Sequence, residues 1–143
     1  MAIYQISVFL ENRAGQLAEI TDILSENKID LKAINIAETA DYGMLRLITD
    51  DPRKASSVLL EKGCVVSMTP VVALAVPDRP GGLNEVLHIL SGESIDIEYM
   101  YSVFGKKNGS AYMIFRVGDP DKFATVLTGH GLAPAEGEEL GIS

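Results

Sequence analysis

Asn12-Arg13-Ala14-Gly15-Gln16-Leu17-Ala18-Glu19-Ile20 returns 66 residues later as Asp78-Arg79-Pro80-Gly81-Gly82-Leu83-Asn84-Glu85-Val86. The likeness extends outward. Ile23, Leu24, Ser25, Ile29 and Asp30 meet Ile89, Leu90, Ser91, Ile95 and Asp96 at the same offset. Together with Arg13, Gly15, Leu17 and Glu19, that makes 9 identities in the 26 pairs from Ile6/Val72 to Leu31/Ile97. A period this long marks a duplicated supersecondary unit and outranks the single domain that 143 residues would otherwise suggest. The expected domains are 1–69 and 70–143. Units so small bury a limited core, so each is expected to lean on a partner surface.

Periodicity predicts the elements of each unit. Ile3 to Leu10 alternates Tyr4, Ile6, Val8 and Leu10 with Gln5 and Ser7, the period of a strand. A helix follows from about Gly15 to Asn27, with Leu17, Ile20, Ile23 and Leu24 on one face. Leu31 to Glu38 and Met44 to Thr49 read as strands joined by Asp41-Tyr42-Gly43, which has turn chemistry. Asp50-Asp51-Pro52 opens a second helix that buries Ala55, Val58 and Leu59 and stops near Gly63, and Cys64 to Met68 is a fourth strand.

The second unit repeats this order. Strands are expected over Val71 to Val76, Ile97 to Phe104 and Ala111 to Val117. Helices are expected over Gly82 to Ser91 and Asp121 to Gly129, and a weak last strand near Leu132. The hairpin turn Gly105-Lys106-Lys107-Asn108-Gly109 is two residues longer than its counterpart, which moves the later offset to 68. Only Thr69-Pro70 is left to separate the units. The predicted class is α+β: two ferredoxin-like βαββαβ units in tandem, with antiparallel sheets and helices on one face.

Composition narrows the function. Hydrophobic residues make up 47% of the chain, which excludes a disordered polymer. The net charge is −8, and neither half is basic: residues 1–70 hold 7 basic and 10 acidic groups, and residues 71–143 hold 5 and 10. A nucleic-acid partner is therefore not expected. Cys64 is the single cysteine, so neither an internal disulfide nor a cysteine-based metal site is expected. His88 and His130 fall in different elements, and no metal or other cofactor is expected. The start Met1-Ala2-Ile3-Tyr4-Gln5-Ile6 has no basic leader, and no apolar run is long enough for a membrane span. The expectation is a cytoplasmic protein without a membrane partner.

The two loops, Leu10-Glu11-Asn12-Arg13-Ala14-Gly15-Gln16-Leu17 and Val76-Pro77-Asp78-Arg79-Pro80-Gly81-Gly82-Leu83, are each followed after a helix by Ile-Asp and an apolar residue. This resembles the ACT domain, a small-molecule regulatory module of amino-acid biosynthetic enzymes. The family pattern is roughly Asn/Asp-Arg-Pro-Gly-x-Leu, a helix, then Gly-Ile/Val-Asn/Asp-Ile. Ala14 departs from its proline, and Lys28 and Ser94 stand where its later glycine would be.

The resemblance implies a non-catalytic regulatory protein that binds a free amino acid where paired domains meet. Position by position it assigns the ligand to Asn12, Arg13, Ala14, Gly15, Gln16 and Leu17 in one loop and to Asp78, Arg79, Pro80, Gly81, Gly82 and Leu83 in the other. Asp30 and Asn35, and Asp96, Tyr99 and Tyr101, are the opposing residues. It also implies a homodimer, and an amino-acid biosynthetic enzyme as a partner to regulate.

The chemistry suits such a ligand. A helix N-terminus offers unpaired N–H groups to a carboxylate. Glycines allow close backbone approach, and Asn12 or Asp78 can accept from an ammonium. Each residue also has a plainer role. The glycines can serve a turn, Asn12 and Asp78 can cap helices, Arg13 and Arg79 can be surface ion pairs, and the tyrosines can be core. Gly82, Pro80 and Asp78 make the second loop the expected better site. Two other functions compete with this one: an enzyme on the same fold, and an oligomerisation module without a ligand. No nucleophile–base pair or phosphate loop stands in the sequence for the enzyme.

Overall fold

The computed structural model describes residues 2–11, 13–38, 42–105 and 109–143. Asp41 of the first expected turn and Lys106, Lys107 and Asn108 of the second lie outside these residues. The chain forms two compact units, one of residues 4–69 with 137–143, the other of residues 70–136 with 1–3.

In the first unit the order is β1 (Ile3–Glu11), α1 (Gln16–Glu26), β2 (Leu31–Glu38), β3 (Tyr42–Thr49) and α2 (Pro52–Glu61), followed by the start of β4 (Val66–Pro77). The strands lie in the order β2-β3-β1-β4. β1 and β3 are antiparallel with Val8 opposite Leu45, and β2 and β3 are antiparallel with Ile34 opposite Leu47. Tyr42 and Gly43 belong to β3 rather than to the turn. Ile6, Val8, Leu10, Leu45 and Leu47 on the sheet pack against Ile20, Leu24, Ala55 and Leu59 on the helices, with Leu17, Ile23 and Val58 partly buried beside them. These are the positions that the helical and strand periods select.

The opposite face departs from simple alternation. Gln5 and Ser7 are buried, while Tyr4 is 44% exposed. The polar pair is tolerated because it is hydrogen-bonded: Gln5 Nε2 donates to Ser7 Oγ at 3.0 Å, and Ser7 Oγ lies 3.2 Å from Thr69 Oγ1. Residues 137–143 belong to this unit. A short 3-10 turn (Gly137–Leu140) buries Leu140, and the Ser143 N–H donates to the Asp50 carbonyl at 2.8 Å.

The second unit takes the rest of β4, then α3 (Gly82–Gly92), β5 (Ile97–Ser102), β6 (Ser110–Val117) and α4 (Pro120–Gly129), with strands in the order β4-β6-β5. Its core joins Val72, Leu74, Val76, Phe115 and Val117 to Val86, Leu90, Phe123 and Leu127. Two expectations change here. Thr69-Pro70 does not interrupt the chain, because one strand runs from Val66 to Pro77. Pro70 precedes the β4–β6 ladder, which begins at Val72, so its missing N–H breaks none of that pairing. Its carbonyl accepts from Arg116 Nη1 at 3.0 Å. The expected last strand is reduced to an isolated bridge, Leu74 to Pro134, with Ala135 N–H on the Ala73 carbonyl at 2.7 Å. Pro134 has no donor with which to extend the ladder.

The repeat is closer in backbone than in sequence. Asp51 and Asp119 cap α2 and α4 alike, each accepting at 3.1 Å from the N–H three residues on. A β-bulge falls at Leu31/Ala33 in one unit and at Ile97/Tyr99 in the other. Lys28 and Ser94 both take the left-handed conformation, φ 57° and 56°. The turn into the next strand requires it, so the backbone keeps the geometry of a glycine where the sequence has none.

Candidate functional site

Each unit presents one glycine loop between its first strand and first helix. Arg13 N–H donates to the Glu11 carbonyl at 2.9 Å and Arg79 N–H to the Pro77 carbonyl at 3.0 Å, a tight turn in both. Gly15 and Gly81 follow with φ 85° and are the N-caps of α1 and α3. A Cβ on either would meet nothing within 4 Å. The positive φ, and not lack of space, is what requires glycine there. Among the described residues neither helix has a side-chain cap at its N-cap position. The N-cap position of α3 is Gly81 and not Asp78, whose N–H donates to the Gly109 carbonyl at 3.0 Å. Asn12 lies outside the described residues. An uncapped first turn carries partial positive charge on its N–H groups, the electrostatics that hold a carboxylate.

Both arginines have partners. Arg13 grips Glu19 with two hydrogen bonds, 3.0 and 2.7 Å, and Arg79 Nη2 reaches both carboxylate oxygens of Glu85 at 3.0 and 3.1 Å. Each pair ties its loop to the first turn of the following helix. The Arg13 hydrogen bond lowers the pKa of Glu19, and the Glu19 carboxylate raises that of Arg13. The two glutamates went unassigned in the sequence, although they are among its repeat identities. A six-residue spacing bridging loop and helix is not a pattern that helical pairing rules pick out.

The loops differ at the first helical residue. A Cβ on Gly82 would lie 2.0 Å from the Pro77 carbonyl oxygen. Gly82 is therefore required by packing, whatever else its bare backbone allows. Its N–H is also taken, donating to the Arg79 carbonyl at 3.0 Å. At the matching position Gln16 keeps a full side chain, and its Oε1 is buried without a hydrogen-bond partner among the described residues. Ala14 and Pro80 are exposed loop residues. Leu17 and Leu83 pack against the helix-side cores and anchor the loops from beneath.

The remaining candidates lie on the strands. Exposed Asp30 pairs with Lys32 Nζ at 3.0 Å, and its N–H bonds to Asp50 Oδ1 at 3.0 Å. Asn35 Oδ1 accepts from Arg46 Nη1 at 3.0 Å across the β2–β3 ladder. In the second unit Asp96 is exposed. Tyr99 and Tyr101 share one face of β5 as their spacing requires, with rings stacked 6.4 Å apart, and Tyr101 is buried.

Elsewhere His130 lies 3.1 Å from Glu93 in an exposed pair. Burial and the Glu19 charge push the Cys64 thiol up, away from reactivity. Among the described residues no cluster of His, Cys, Asp and Glu could hold a metal ion. No helix among them is long and apolar enough to cross a membrane. A cavity of about 290 Å³ in the second unit, lined by Ile3, Val71, Ala73, Pro120, Ala124 and neighbours, contains none of the loop residues.

Two ferredoxin-like units, each opening its first helix at an uncapped glycine loop, define a duplicated α+β module. The family described as an ACT domain pair matches residues 1–141, and the chain belongs to it. The crystal structure of protein BT0572 from Bacteroides thetaiotaomicron is similar at 40% identity and a TM-score of 0.90, covering 99% of this chain and 96% of that one. The ligand-free regulatory subunit of aspartate kinase from Thermus thermophilus shares the fold at 14% identity and a TM-score of 0.61, over 89% and 91% of the two chains. E. coli aspartokinase III, in complex with lysine and aspartate, shares it at 19% identity and a TM-score of 0.52, over 90% of this chain and 31% of that one. Among curated proteins, none matches the sequence.

Proposed function

We propose that this chain is a non-catalytic regulatory protein that binds a free α-amino acid at its glycine loops. The observation that carries the reading is the uncapped helix N-terminus behind Gly15, repeated behind Gly81, in a chain of the ACT domain pair family. The carboxylate would take the first-turn N–H groups, and acceptors at the loop would take the ammonium. A fold shared with a regulatory subunit of aspartate kinase supports a regulatory setting. A homodimer that regulates an amino-acid biosynthetic enzyme completes the proposal.

A second reading, an oligomerisation module without a ligand, draws on the second loop, where Gly82 and the Arg79–Glu85 pair leave the turn closed on itself. A thermal-shift screen with each of the twenty amino acids separates the two. A ligand at 100 times its dissociation constant adds roughly 2.7 kcal/mol and raises the melting temperature by several degrees. If none of the twenty moves the transition, the amino-acid reading is wrong. Sedimentation at micromolar concentration checks the dimer, and a mass of 15.4 kDa would refute it.

A further inference from the structure

Protein interiors are close-packed, so a gap of ligand size that side chains leave unfilled calls for an occupant. The cavity of about 290 Å³ is such a gap. Ile3, Val71 and Ala73, all buried, line it together with Ala124 of α4. Its described lining lies wholly within the unit of residues 70–136 with 1–3. An apolar cavity of roughly 150 Å³ takes up benzene, so this one has room for a ring or a branched chain with a short arm.

The polar chemistry of the cavity is one-sided. Asp121 and Glu136 line it and both are exposed, while its described lining holds no Lys, Arg or His. The Asp121 carboxylate has no hydrogen-bond or ion-pair partner among the described residues. The positive end of α4 does not reverse the sign, because Asp119 caps that helix and Asp121 stands in its first turn. We propose that the cavity is a second ligand site, which takes a small amine: the apolar body lies against Ile3, Val71, Ala73 and Ala124, and the ammonium meets Asp121 and Glu136. An α-amino acid with the same body is disfavoured there, since it brings a third carboxylate beside two others. None of the glycine-loop residues lines the cavity, so the site stands apart from the amino-acid reading.

Titrations of the full chain followed by amide NMR test it. The probes are isoamylamine and phenethylamine, set against the matching alcohols and against L-leucine and L-phenylalanine, which add a carboxylate to the same bodies. Both amines should shift the amides of Val71, Ala73 and Ala124. They should bind roughly three- to thirty-fold more tightly than the alcohols at low salt, the range that two partly exposed ion pairs supply. Added salt should narrow the difference. The double variant Asp121→Asn, Glu136→Gln should bind amine and alcohol alike, and Ala124→Leu, which fills the cavity, should bind neither. Amides that neither amine moves overturn the proposal. Alcohols or amino acids that bind these residues as tightly as the amines do so too, as does amine binding unchanged in an Ala124→Leu protein that keeps the wild-type spectrum elsewhere.

Discussion

At the first position of its helix one loop carries Gln16 and the other Gly82, and the surroundings of those two residues differ more than the loops themselves. The turn before them, the φ of 85° at Gly15 and Gly81, and the arginine–glutamate pair behind them are the same in both units. What differs is the strand end facing the helix. In the second unit the Pro77 carbonyl stands where a Cβ at residue 82 would go. Duplicated backbones thus carry unequal chemistry, and a repeat in sequence does not establish a repeat in function.

The largest expected effect tests that inequality directly. Gly82→Ala should destabilise the protein by about 1–3 kcal/mol, the usual penalty of overpacking, seen as a lower urea midpoint. Gln16→Ala should move the midpoint far less. Equal shifts would mean that the first helical residues are not distinguished by packing.

Gly15→Ala and Gly81→Ala should each lose roughly 1–2 kcal/mol, since alanine must hold a left-handed backbone in either loop. Here the comparison predicts equality, and a large disparity would show that one loop can relax its turn. The opposite change is expected at the following turns. Lys28 and Ser94 already hold φ 57° and 56°. Lys28→Gly and Ser94→Gly should therefore each raise stability by about 0.5–1 kcal/mol, left-handed strain relieved less the added entropy of the unfolded chain. Thermal melts of the two single variants and their combination would measure it.

The smallest effect concerns the Arg13–Glu19 pair. The Arg13 hydrogen bond depresses the Glu19 pKa, so its contribution is present above the unfolded value and lost as pH falls through the lower folded one. The pair is solvent-exposed, and salt should weaken it further. Carboxyl NMR should show Glu19 titrating below an ordinary glutamate in the wild type and at the ordinary value in Arg13→Ala.

Most of the fold was legible because two rules act locally. Period-two strands and a helical stripe bury the same residues that pattern alone selects, Ile6 and Val8 against Ile20 and Leu24 among them. Asp-Pro marks both later helices for the same reason that it caps them. The misses came where a local signal meets tertiary context. Thr69-Pro70 looks like a break, yet Pro70 sits ahead of the β4–β6 ladder and its carbonyl receives Arg116. Leu132-Ala133-Pro134 looks like a strand, yet proline limits it to one bridge.

The loops themselves could be read from their identities. Their internal roles could not, because the closeness of Gly82 to the Pro77 carbonyl and a Gln16 carbonyl unpaired among the described residues are facts of three-dimensional distance. Gln5 and Ser7 alternate with the apolar residues of β1 yet are buried too, since hydrogen bonds to each other and to Thr69 replace those to water.

A Cβ 2.0 Å from a backbone oxygen also sets the evolutionary prospects of the two copies. Any side chain at position 82 must displace the Pro77 carbonyl, so substitution there lowers stability before any new chemistry can be tried. Position 16 already carries a long side chain and can exchange it at small structural risk. A saturation library at the two sites should return glycine almost alone at one and a broad range at the other. After the duplication that made this chain, the first copy was the one left free to vary at the start of its helix.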